Sequence, residues 1–158
     1  MLKLLLWSLA GLVAFFVVIQ AVPYGRQHTN PPARVEPTWD SPQTRALAAR
    51  ACYDCHSNET MWPWYSNVAP ISWLVQSDVD RGRMELNFSA WDNPPKEPGE
   101  SAEKVLESEM PMWYYTAAQP KAALPVEETQ ALIRGLEATL GTESRTGERE
   151  AGNRERRR

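Results

Sequence analysis

The residues CYDCH, positions 52–56, gather both cysteines of a 158-residue chain and one of its two histidines. Four chemistries use a pair of thiols at this spacing. A structural zinc site needs four ligands, usually two pairs of Cys or His, and the one further candidate is His28 in a proline-rich stretch. A thiol–disulfide oxidoreductase sets Cys-x-x-Cys within a βαβ pattern, and no alternating strand pattern is present. A disulfide between Cys52 and Cys55 closes so small a loop that it constrains the unfolded chain little. Covalent haem attachment uses every residue of the motif. In Cys-x-x-Cys-His the thiols add to the vinyl groups of the porphyrin and the histidine becomes the proximal iron ligand. The expected cofactor is therefore one haem c, held by Cys52 and Cys55, with His56 on the metal.

Electron-carrying haem proteins usually add a second axial ligand, Met or His. Past the N-terminal segment the methionines are Met61, Met84, Met110 and Met112. Met61 follows His56 too closely to reach the other haem face, and Met84 sits among Arg81, Arg83 and Glu85. Met110 precedes Pro111, and a proline fixes the backbone and stops a helix, so the thioether can be offered from a defined loop. Met110 is the expected sixth ligand. Met112, in the same loop, is the alternative; His28 and an open sixth position are others. The aromatics after the motif (Trp62, Trp64, Tyr65, Trp73, with Pro63 and Pro70) are expected as an apolar sleeve around the haem, Trp64 among its contacts. Arg83, or Arg81, is a candidate partner for the propionates, because the guanidinium fork suits carboxylates. Asn58, Asn87 and Ser89 read as capping or loop residues.

These residues need elements to hold them. Ser41 caps a helix with Pro42 at its first position, and Leu47, Ala48, Ala51, Cys52 and Cys55 follow at helical spacing. Residues 57–70 form a loop. A second helix starts at Pro70 with Ile71, Leu74, Val75 and Val79 inward. Ser101 caps a third, which ends before Pro111. Pro125 opens a fourth, with Leu132, Ile133, Leu136 and Leu140 on one face, Glu127 and Glu128 in its first turn and Gly141 as its stop. The fold class is thus all-α, about four short helices around a covalent haem. Thirteen prolines and short helices leave a modest apolar core, which a bound porphyrin would complete.

Ahead of this domain, Leu4 to Val22 is apolar apart from Ser8, Gly11 and Gln20. Nineteen residues at about 1.5 Å each reach about 28 Å, close to the hydrocarbon thickness of a bilayer. Residues 1–23 are expected as an uncleaved anchor, with Lys3 cytoplasmic and the rest exported; Ile19-Gln20-Ala21 would serve as a cleavage site if the segment were a signal. Residues 24–41 hold prolines 23, 31, 32, 37 and 42 in or beside them and read as an extended linker. The haem domain is expected over 42–140 and a charged, disordered tail over 141–158. Residues 27–140 hold nine Lys and Arg against sixteen Asp and Glu, a net −7, which disfavours nucleic acid and suits a redox partner with a basic docking surface.

Two stretches, CYDCHSNETMWPWYSNVAPISWLVQSDVDRGRMELNFSAW and EMPMWYYTAAQPKAALPVEETQALIRGL, resemble the small haem-binding domain of bacterial exported proteins, a cytochrome-c-like group. The resemblance covers roughly residues 44–138. It implies covalent haem c at Cys52 and Cys55, His56 as axial ligand, and Met110 at the Met-Pro position. Members often carry a histidine where this chain has Gln119, a departure that favours the methionine here. The expected function is single-electron transfer by a monohaem c-type cytochrome in the inner (cytoplasmic) membrane, its haem domain periplasmic, rather than an enzyme. The alternatives are a haem-based sensor, a small-ligand binder or peroxidase-like domain with a labile sixth ligand, and a module that uses haem as a structural prop.

Overall fold

The computed structural model describes residues 1–141; the expected tail beyond Gly141 lies outside the described residues. Among these the chain is all-helical, with one isolated bridge between Val35 and Ala90 in place of a sheet. Helix α1 (Leu2–Ile19) has no buried residue and is long and apolar enough to cross a membrane. Helix α2 (Pro42–Ala51) opens as its sequence dictates: the Ser41 hydroxyl accepts the Thr44 amide and Pro42 occupies the first turn. The helix does not run through the cysteines. It stops at Cys52, whose backbone leaves helical geometry, and a four-residue helix α3 (Tyr53–His56) follows.

Helix α4 (Ile71–Glu85) packs across α3, and α5 (Glu100–Leu106) and α2 both pack on α7 (Val126–Leu140). Between them lies the short α6 (Trp113–Ala118), which the sequence reading did not separate from its loop. The core joins Leu47, Ala48 and Ala51 of α2 to Leu132 and Leu136 of α7, with Tyr53, Phe88, Ala102 and Val105. Gly135 lets α7 close on α2, since a Cβ there would meet the Thr44 side chain. An Arg50–Glu128 ion pair joins the same two helices at the surface. As expected, Leu132 and Leu136 face inward and Gly141, at φ +90°, ends α7.

Three expectations change. Ser101 lies inside α5, its hydroxyl donating to Pro98 O at 2.7 Å, and the capping position is Gly99. On α4 the inward residues are Ser72, Val79 and Gly82, while Ile71 and Leu74 are exposed. Residues 24–41 are extended, yet they form a strap along the domain instead of a free tether. Arg34 N–H donates to Ser89 O and Trp91 N–H to Val35 O, each at 2.8 Å. Asn30 and Asn58 side-chain amides donate across the seam to Thr60 O and Pro32 O, each at 3.0 Å. A proline-rich backbone leaves its polar groups unpaired locally; here the Pro32 and Val35 carbonyls and the Arg34 amide find partners on the domain.

Candidate functional site

A cleft of about 400 Å³ opens between α3, α4, α5 and the loop after α5, within the range of small-molecule pockets, about 300–1,000 Å³. Cys52, Cys55 and His56 all line it, on the wall made by α3. Ala51, Leu86, Phe88, Val105 and Leu136 supply apolar surface. Carboxylates gather at the mouth, Asp78, Glu85, Glu97, Glu100 and Glu109, with Arg81 and Lys104 as the cations.

The His56 ring is fixed from behind. Its Nδ1 lies 3.0 Å from Gly82 O and 3.1 Å from Leu86 O. Carbonyls only accept, so Nδ1 carries the proton and Nε2 keeps its lone pair. Burial lowers the imidazole pKa, only partly opposed by the two backbone hydrogen bonds, so the neutral ring is favoured. This is the arrangement that prepares a histidine to bind metal through the other nitrogen. The close approach depends on Gly82: a Cβ there would stand 2.4 Å from Cys55 O. Phe88 N–H, donating to His56 O at 2.8 Å, seals the turn.

Both thiols are half-buried, and burial pushes each pKa up to about 12. Reactive redox thiols are instead held low, in electropositive surroundings. Asp54, one of the two residues between them, knits the motif to the rest of the chain. Its Oδ2 accepts the Tyr115 hydroxyl at 2.7 Å and lies 3.6 Å from Lys121 Nζ, and its Oδ1 accepts Met61 N–H at 2.9 Å. Burial and the adjacent carboxylate raise the Tyr115 pKa, keeping it a donor.

Met110 and Met112 both line the cleft, but in different circumstances. Helix α5 ends with Ser108 in the left-handed region at φ +61°. Ser108 N–H donates to Val105 O, and Glu109 N–H reaches back to Lys104 O at 3.0 Å, the pair of bonds that defines a Schellman end. Met110 N–H shares that Lys104 carbonyl at 3.0 Å, so the residue is anchored to the helix terminus. Met110 also packs against the core. Met112 Sδ, by contrast, lies 2.6 Å from the Tyr114 hydroxyl, which is also 3.2 Å from Asp78 Oδ2.

Other expected contacts lie elsewhere. After His56 the chain turns extended at Ser57 and leaves the cleft, so Trp62, Trp64, Tyr65 and Trp73 do not line it. Trp64 is 79 % exposed. Trp62 stacks on His28 at 4.6 Å between ring centroids, and the His28 Nε2 lies 2.9 Å from Ser66 Oγ; both serve the strap. Arg83 is turned away too, donating to Ser57 O, Thr29 O and Asn30 Oδ1, each at 2.8 Å, and to Thr60 Oγ1 at 2.9 Å. The reason is helical phase: Asp78, Arg81, Gly82 and Glu85 recur at the three-to-four spacing of one face, and position 83 falls outside it. Asn58, Asn87 and Ser89 form a buried polar knot, Asn87 Nδ2 donating to Asn58 Oδ1 at 2.9 Å and Asn58 N–H to Ser89 Oγ at 3.0 Å. Sequence reasoning passed over Gly82, Asp54, Tyr115 and Leu86. A glycine amid the charges of DVDRGRME is the one visible hint.

A family model described as "Haem-binding domain" matches residues 14–138. The chain belongs to the haem-binding domain family. The matched region takes in the last third of α1 and the whole strap as well as the helices around the cleft. No curated protein and no solved structure matches the chain. The donor set of the cleft suits haem: two sulfurs and a backed imidazole on one wall, a thioether on another, and apolar surface between.

Proposed function

We propose that this haem-binding domain is a membrane-anchored monohaem c-type cytochrome that passes single electrons outside the cytoplasm. The observation that carries the reading is the convergence of Cys52, Cys55, His56 and Met110 on one cleft, with His56 Nδ1 already bound to two carbonyls. Cys52 and Cys55 would hold the porphyrin by thioethers, and His56 Nε2 and Met110 Sδ would hold the iron. When bound, haem supplies an iron that alternates between ferric and ferrous states, one electron at a time.

The remaining residues bind, orient and shield. Gly82 O and Leu86 O fix the plane and tautomer of His56. The Lys104 carbonyl holds the Met110 backbone, so the thioether is presented without a search. Phe88, Val105, Leu86 and Leu136 keep water from the interior, a lever on reduction potential. Arg81, which makes no ion pair among the described residues, takes the propionate role first expected of Arg83. The carboxylates at the mouth and the acidic domain favour a partner with a basic face, docking in a salt-sensitive way. Helix α1 would anchor the chain in the inner membrane, Lys3 inside and the cleft on the periplasmic side.

Mass spectrometry of the full chain, expressed with a haem-attachment apparatus, tests the central point. The expected product carries one haem per chain, retains residues 1–23, and loses at least one thioether when Cys55→Ala is introduced. Purified protein with free thiols, or with a Cys52–Cys55 disulfide and no porphyrin, overturns the reading.

A further inference from the structure

The two α4 residues expected in the core and found outside it, Ile71 and Leu74, follow closely on Ala69, which the end of α1 engages. Gln20, the residue that closes α1, clasps the backbone of Ala69. Its Nε2 donates to Ala69 O at 2.9 Å and its Oε1 accepts Ala69 N–H at 3.0 Å. Arg26 Nη2 donates to the same Oε1 at 3.0 Å. Gly25, at φ +81°, lies so close to α4 that a Cβ would meet Ser72 O at 2.2 Å. Two hydrogen bonds thus join Ala69, just ahead of α4, to Gln20 at the end of α1, and Gly25 abuts α4 itself.

If α1 spans a bilayer, its last turn lies in the headgroup layer. Eighteen helical residues rise about 27 Å, nearly the full hydrocarbon depth. Whatever Gln20 clasps must lie there too. The composition of the clasped segment agrees independently. Residues 60–77 are eighteen consecutive positions without a charge, bounded by Glu59 and Asp78, in a domain that is otherwise densely charged. Within them Met61 (69 %), Trp64 (79 %), Leu74 (48 %) and Ile71 (47 %) are exposed. Tryptophan is the residue enriched where a membrane meets water. Arg26, the one charge between Lys3 and Arg34, bonds Gln20 and with α1 in a bilayer would stand at the level of the lipid phosphates.

We propose that the face formed by Trp64, Ile71 and Leu74 rests on the membrane interface beside α1, so that the haem domain is set down on the bilayer in one orientation. The occupant is lipid because Gln20 ties the residue ahead of α4 to the end of α1 and the segment 60–77 offers no charge for a protein partner to pair. The inference rests on the proposed anchoring of α1.

The test uses the full-length holoprotein in phosphatidylcholine vesicles. Its native cysteines would be consumed by haem attachment, leaving single nitroxides to be placed on Leu12→Cys, Ile71→Cys, Leu74→Cys and Met84→Cys in turn. Collision with oxygen, which partitions into lipid, is compared with collision with a water-soluble nickel chelate. An unchanged haem spectrum checks that each variant folds. The proposal expects positions 71 and 74 to favour oxygen several-fold over position 84, which lies at the far end of α4. Equal nickel access at 71, 74 and 84, with position 12 lipid-exposed, overturns the membrane face and leaves the anchor standing. Nickel access at position 12 itself overturns the anchor and with it this inference. Positions 71 and 74 shielded from both reagents would mean a protein contact there, and would also overturn it.

Discussion

Gly82 has no side chain to offer, yet more of the site depends on it than on most residues that do. It lets α4 approach the backbone of Cys55 and brings its own carbonyl to His56 Nδ1. Gly82→Ala should destabilise the holoprotein by about 1–3 kcal/mol through overpacking of backbone against backbone, read as a lower denaturation midpoint. Wild-type stability would show that the helices separate freely. The two methionines differ in what holds them. Met112 Sδ is engaged by the Tyr114 hydroxyl, whereas Met110 is tied by its amide to the end of α5. Met110→Ala should convert low-spin iron to a high-spin form whose spectrum shifts with carbon monoxide; Met112→Ala should leave it low-spin. The reverse result would exchange their roles, and carbon monoxide binding by the wild type would favour the sensor over the carrier.

Among the helices, what could be read in advance was what is local. Ser41-Pro42 starts α2 and Pro125 to Gly141 bounds α7, because caps and turns are decided within a few residues. The convergence of Cys52, Cys55 and His56 was equally legible, being set by five consecutive positions. The phase of α4 was not. Apolar residues at helical spacing announce a buried stripe without saying what buries it, and here Gly82 and Ser72 take the protein side while Ile71 and Leu74 take the other. The role of Arg83 failed for the same reason, one residue of rotation separating it from the cleft. Helix α5 offers a test at this scale. Its Schellman end puts Ser108 where glycine is the usual occupant. Ser108→Gly should remove a left-handed penalty of about 1–2 kcal/mol and give back about 0.5–1 kcal/mol in chain entropy. The expected net is stabilisation by up to about 1.5 kcal/mol in chemical denaturation, with the iron spectrum unchanged. A loss of stability would show that the Ser108 side chain contributes more than its backbone costs.

For the molecule as a whole, the strap is bound to the helices around the cleft by backbone hydrogen bonds, and the family match begins within α1. Leu12 lies midway along α1; Leu12→Arg should weaken insertion by about 2.5–3.5 kcal/mol and move haem-stained protein from the membrane to the soluble fraction. Wild-type protein released from membranes by alkaline washing would end the anchoring proposal. The cleft has a consequence for biogenesis. Its covering surfaces, Val105, Met110 and Leu136, come from segments that follow the cysteines in the chain, and a polypeptide threaded outward from its N-terminus delivers them last. If haem is joined through the two cysteines as proposed, the CYDCH segment meets it with freest access before those later surfaces arrive, and the cleft they close around it would then settle onto a porphyrin already in place.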